Sequence, residues 1–139
     1  MIASCSEKEI IYYEFNGVTI TRINDGNRIY FYHGKCGKDE SCSKSYIKAE
    51  YSGLNSGMGA YLIFQPSTKV EIIKMHDSFE KVGNTSSLTF KEYDNIEFIP
   101  WQDSIKGKFE NVIYVSDVIE TEKDLNSKNR SKVKAVYPS

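Results

Sequence analysis

The chain has 139 residues, enough for one ordinary domain, of which 40% are hydrophobic and 27% charged. That balance can bury a core and argues against wholesale disorder. Eighteen Lys and Arg against nineteen Asp and Glu leave a formal charge of -1, without the basic excess of a dedicated nucleic-acid binder, and no apolar run approaches the roughly 20 residues of a membrane-spanning helix.

The chain opens on Ile2-Ala3-Ser4-Cys5, followed by the polar stretch Ser6-Glu7-Lys8-Glu9. This resembles the lipobox of bacterial lipoproteins: an aliphatic residue, two small residues, then the Cys that is lipidated and becomes the mature N-terminus. The basic and apolar segments that precede such a motif are missing, so Met1 reads as a start placed inside a trimmed signal peptide. The resemblance implies lipidation of Cys5, an address in the periplasm or outer membrane, and membrane contact through the anchor only. A diacylglycerol carries two chains, enough for stable anchoring where one is marginal. The resemblance covers these few residues and implies no activity. Residues 1–8 read as signal remnant and tether.

Residues 9–119 read as a single β domain. Glu9 to Phe15, Val18 to Ile23 and Arg28 to His33 are rich in Ile, Val, Thr, Tyr and Phe, and Asn16-Gly17 and Asp25-Gly26 separate them. Both dipeptides are strong hairpin signals, because type I′ turns need positive φ at two successive residues. A three-stranded meander is expected. Two-residue turns would set Tyr13 opposite Ile20, Ile20 opposite Phe31 and Arg22 opposite Ile29. One face then carries Ile11, Tyr13, Phe15, Val18, Ile20, Ile29 and Phe31, with Arg22 and His33 at its ends; this is the core face. The other carries the rows Tyr12–Thr21–Tyr30 and Glu14–Thr19–Tyr32, beside Ile10–Ile23–Arg28.

Cys36 and Cys42 bracket a short polar loop. In a chain marked for export they read as a disulfide. A zinc site would space paired Cys more closely and need further ligands, and a thioredoxin-type site needs Cys-x-x-Cys. An acylated Cys5 and one bridge would account for all three thiols.

Tyr46 to Tyr51 alternates as a fourth strand, and Ser52 to Gly59 reads as a flexible connection. Ala60 to Phe64 is apolar on both faces, as a covered central strand would be. Pro66-Ser67-Thr68 turns it into Val70 to Met75. Asp77 to Val82 suits one helical turn, Leu88 to Tyr93 and Ile96 to Ile99 a hairpin around Asp94-Asn95, and Val112 to Ile119 a strong strand. Residues 120–139 read as a polar tail, with Val133 to Tyr137 either a last edge strand or coil. The sum is an all-β fold: an antiparallel sandwich or partly open barrel of eight or nine short strands, with at most one short helix.

Catalytic signatures are weak. The Gly53–Gly59 stretch leads into a strand and lacks the Lys of a phosphate loop. His33 and His76-Asp77 suit ordinary rim histidines, so no metal site is expected. Glu92, Asp94 and Glu97 sit at an expected turn, where solvated carboxylates are the default. No Gly-x-Ser-x-Gly elbow occurs. The basic run Lys128, Arg130, Lys132 and Lys134 reads as a solvated tail that could touch anionic lipid.

The aromatic outer face is the leading candidate. Tyr12, Tyr30 and Tyr32, with Glu14, Asp39, Glu40 and Trp101 as further anchors, have the composition of a protein-contact surface; the alternative is that a second sheet or the tail covers them as core. The expectation is a non-enzymatic envelope lipoprotein that binds a protein partner without cofactor, metal or nucleic acid, in concrete form a periplasmic immunity-type inhibitor of a bacterial toxin. A carbohydrate- or small-ligand-binding lipoprotein is the alternative. A hydrolase would instead require His33, His76, Asp77, Glu50 and Glu92 to converge.

Overall fold

The computed structural model describes residues 8–26, 28–37, 40–50, 60–75, 79–93, 95–105, 108–116 and 119–137. Cys5, Asp39, the 52–59 connection, His76-Asp77 and Asp94 lie outside them.

The described strands form two sheets. The first runs in the order β10 (Lys134–Val136), β1 (Glu9–Phe15), β2 (Val18–Asp25), β3 (Arg28–His33), β4 (Tyr46–Glu50), β7 (Phe79–Val82). The second runs β8 (Leu88–Tyr93), β6 (Val70–Met75), β5 (Ala60–Phe64), β9 (Val112–Val115). Neither sheet closes on itself, so the architecture is an open sandwich rather than a barrel. Between the sheets, Ile11, Tyr13, Ile20, Ile29, Phe31 and Ile47 pack against Leu62, Ile72, Leu88 and Ile113. Each such buried aliphatic or aromatic side chain contributes about 1.5–3 kcal/mol by leaving water.

The face assignment of the meander holds: all seven expected core residues belong to this cluster or pack against it. The first hairpin pairs Phe15 with Val18 and Tyr13 with Ile20, as expected. The second is shifted by two residues. Arg22 faces Phe31, Thr21 faces Tyr32 and Ile23 faces Tyr30. The cause is the turn, which starts at Gly26 (φ +65°) and not at Asp25, so Asp25 still pairs with Arg28. A shift of two preserves the faces and changes only the neighbours.

Other elements differ more. Residues 79–82 form a strand beside β4 and not a helical turn. By visiting the first sheet between β6 and β8, the chain brings β8 back parallel to β6, in a sheet expected to be wholly antiparallel; a parallel pair requires such a crossover. The segment after Tyr93 is helix α1 (Asn95–Ile105), not the second strand of a hairpin. Asn serves a helix start as well as a turn, and Trp101 and Ile105, four apart, share a helix face. Helix α2 (Ile119–Asn126) occupies the expected tail. Thus the described residues hold two helices, where at most one was expected, and both flank the second sheet. They cover Tyr61, Ile73, Val112 and Tyr114 with Trp101, Ile105 and Leu125. The last described strand, β10, lies at the edge of the first sheet on β1.

Candidate functional site

Arg22 stands on the core face of β2 and is 0% exposed. A buried guanidinium must be paired and hydrogen-bonded. Its partner is Glu122, also 0% exposed, at the centre of the inward face of α2. Arg22 Nη1 donates to Glu122 Oε1 at 2.8 Å, Nη2 to the Ser116 carbonyl at 2.7 Å and Nε to Asn24 Oδ1 at 2.9 Å. Glu122 also accepts from the Ser116 amide (2.9 Å), the Tyr13 hydroxyl (2.9 Å) and the Tyr137 hydroxyl (2.6 Å). The network joins β1, β2, α2 and the residue after β10. Burial raises the Tyr13 hydroxyl well above the ordinary tyrosine range, with the Arg22 charge opposing and Glu122 reinforcing. The Tyr137 hydroxyl is raised for the same first reason, with Glu122 adding to it. Every polar group here is satisfied internally, so the network holds the helix to the sandwich and offers nothing to a ligand.

The outer face of the six-stranded sheet is different. Its rows follow the observed register: Tyr12–Thr21–Tyr32, and Ile10–Ile23–Tyr30–Lys48–Glu80. The Cys36–Cys42 disulfide is formed, with its Cα atoms 5.0 Å apart. The loop it closes folds back over one end of this face. The Tyr12 hydroxyl donates to the Cys36 carbonyl (3.0 Å), Thr21 Oγ1 donates to the Gly34 carbonyl (2.6 Å), and the Cys36 amide donates to Thr21 Oγ1 (3.2 Å). Gly37 has φ +106° and stands so near Ile10 and Ile23 that a Cβ there would lie 3.0 Å from Ile10 Cδ1. Tyr12 is therefore buried, with the Lys35 ammonium 5.2 Å from its ring centroid. It supports the loop and leaves little surface exposed.

Beyond the loop, Tyr30 and Tyr32 remain half-buried and meet a third ring, Tyr46, at the start of β4. Centroid distances are 5.6 Å for Tyr30–Tyr46 and 5.3 Å for Tyr32–Tyr46. None of the three hydroxyls has a hydrogen-bond partner among the described residues. Burial raises the Tyr32 hydroxyl above its ordinary range, with Tyr46 and Tyr30 adding to it. Half-buried Lys48 and exposed Glu80 border the rings as an ion pair at 3.4 Å. Tyr46 was missed in the sequence because its place beside Tyr32 depends on how the Cys loop returns the chain, which spacing does not reveal.

The remaining expected anchors scatter. Glu40 is exposed on the Cys loop. Glu14 is half-buried near the β1–β2 turn, facing Lys134. Trp101 lies on the opposite side of the molecule, in α1, packed on Tyr61 and Tyr93 at 5.6 Å each. His33 is tied through Nε2 to the Thr68 carbonyl at 2.8 Å, and Glu92 and Glu97 are exposed. Among the described residues no group of three or more His, Cys, Asp and Glu is placed to hold a metal ion. Two adjoining cavities, about 470 and 600 Å³, open at the end of the sandwich where the β1–β2 and β5–β6 turns meet the 108–111 segment. Phe109, Lys108 and Asn111, none of them singled out by the sequence, line the first. The chain matches no family model, no curated protein and no solved structure.

Proposed function

We propose that the protein binds another protein through the Tyr30–Tyr32–Tyr46 face, without catalysis, while Cys5 anchors it in the cell envelope. In concrete form it is a periplasmic immunity-type inhibitor of a bacterial toxin. One observation carries the docking part: three half-buried rings are packed side by side on a rigid sheet, and their hydroxyls have no partner within the described chain. Tyr gives a partner large contact area at small entropic cost, and three uncommitted hydroxyls offer donors and acceptors that a complementary surface can satisfy. Lys48, Glu80 and Glu40 supply charge at the rim, where it governs orientation and rate of encounter more than strength.

The reading is tested by co-expression with the toxin encoded beside the gene. A stable complex and protection of the host are expected. Tyr30→Ala and Tyr32→Ala should each weaken the complex at least tenfold, the order of an interface hot spot, without unfolding the protein. Absence of both complex and protection, or unchanged binding by both variants, overturns the reading. The anchor is tested by the mass of the product expressed with its native leader: a lipid increment is expected, and Cys5→Ser should remove it.

A further inference from the structure

The open end of the sandwich carries a second arrangement, independent of the tyrosine face. Phe15 from one sheet and Phe64 from the other meet there, with ring centroids 5.9 Å apart and planes tilted by 50°. Phe109 lines the same cavity as these two and is 48% exposed, the most exposed large hydrophobic among the described residues. It is pinned on both sides. The Lys108 amide donates to the Ile105 carbonyl at 3.1 Å, the Lys132 amide to the Glu110 carbonyl at 2.7 Å, and Asn111 Nδ2 to the Phe64 carbonyl at 2.8 Å. An exposed aromatic ring on an anchored backbone, beside a cavity that two other rings line, is a lining and not a loose end.

The cavity measures about 470 Å³, within the ordinary range for a small-molecule site and too small for a folded partner. Its two charged liners are Lys108 and Glu110. Lys132 Nζ already holds the Glu110 carboxylate at 3.2 Å. The uncommitted charge is therefore the Lys108 ammonium, which has no partner among the described residues. Asn16 and Gln65 line the same cavity, and their side-chain amides have no partner among the described residues. We propose that this cleft binds a small aromatic carboxylate, its ring against Phe15, Phe64 and Phe109 and its carboxylate at Lys108. Offset or edge-on ring contacts favour an aromatic body over an aliphatic one, and a charge-assisted bond to Lys108 favours the acid over a neutral analogue.

The test uses 1-naphthylacetate and its uncharged amide as probes, titrated into the isotope-labelled full chain and followed by backbone amide shifts. Saturable one-to-one binding is expected, with shifts confined to residues 15–18, 64–68 and 108–111. The acid should bind about fivefold or more tightly than the amide, as one charge-assisted bond allows. Phe109→Ser should weaken both probes on the order of tenfold. Lys108→Gln should abolish the preference for the acid and leave amide binding unchanged. Both side chains are exposed, so neither variant threatens the fold, and Tyr32→Ala serves as the remote control. Shifts that do not saturate, that lie elsewhere, or that survive both cleft variants overturn the proposal. Equal affinity of the wild-type chain for acid and amide overturns the assignment of Lys108.

Discussion

Two groups of tyrosines stand on the two faces of one sheet, and they are used in opposite ways. Tyr13, on the inner face, is fully buried and donates its hydroxyl to Glu122 Oε2; Tyr137, just after β10, donates to the same oxygen. Tyr30 and Tyr32, on the outer face, each pack on Tyr46, and the three hydroxyls have no hydrogen-bond partner among the described residues. Residue type does not separate the groups; what lies over each ring does. Where α2 or the Cys loop covers a tyrosine, its hydroxyl is absorbed into the fold, and where neither does the hydroxyl has no hydrogen-bond partner among the described residues. Removing Glu122 attacks the inner group directly. Glu122→Gln leaves the Arg22 cation buried without its counter-charge, and should destabilise the protein by about 3–5 kcal/mol in urea unfolding. Arg22→Met combined with Glu122→Leu should cost less than the two single changes added together, because the pair acts as a unit. Simple additivity would show that the two charges are not coupled.

The cover over Tyr12 is the Cys loop, and its bridge is the next target. Replacing Cys36 and Cys42 by Ser should cost about 2.4 kcal/mol on the chain-entropy model for a loop of about seven residues. It should also speed hydrogen exchange at the Cys36 amide, which is bonded to Thr21 Oγ1. Alkaline titration probes the inner group without a mutation. Below about pH 10, folded and unfolded chains both keep the tyrosine protons, so Tyr13 confers no pH dependence. Above that, the unfolded chain releases the proton while burial makes the folded chain retain it. The folded state then binds more protons, so stability falls as pH rises, by up to about 1.4 kcal/mol per pH unit for one such group. The urea midpoint should be level from pH 8 to 10 and fall beyond it, and Tyr13→Phe should make that fall shallower.

Both faces of the meander were legible in the sequence, because period-two patterning and Asn-Gly and Asp-Gly turns are local signals. The disulfide was legible from spacing. In the far half the strands Ala60–Phe64, Val70–Met75 and Leu88–Tyr93 were legible too, and the helices were not. Helix α2 reads IETEKDLN, and its buried face runs through Ile119, Glu122 and Leu125. With a carboxylate at its centre the apolar stripe is broken, and the segment looks like solvated tail. Arg22 was placed correctly on the core face, but its partner lies 100 residues away and no local pattern connects them. The same limit applies to the sites. Tyr30 and Tyr32 were visible from alternation, whereas Tyr46 and the Phe109 cleft exist only once a loop has returned the chain to a particular place.

The smallest expected effects give the sharpest comparison, because each removes a single oxygen. Tyr12→Phe deletes the hydroxyl that donates to the Cys36 carbonyl at 3.0 Å, and should cost about 1 kcal/mol, the usual net value of a hydrogen bond whose acceptor is left buried. Tyr46→Phe deletes a hydroxyl that bonds to nothing in the described chain, and should change stability by less than about 0.5 kcal/mol. Its effect belongs in the complex, where a partner group facing that oxygen would lose its bond. If Tyr46→Phe destabilises the free protein as much as Tyr12→Phe does, the outer rings are structural like the inner ones. If it leaves the free protein intact and weakens the complex, the uncovered hydroxyls are what a partner reads.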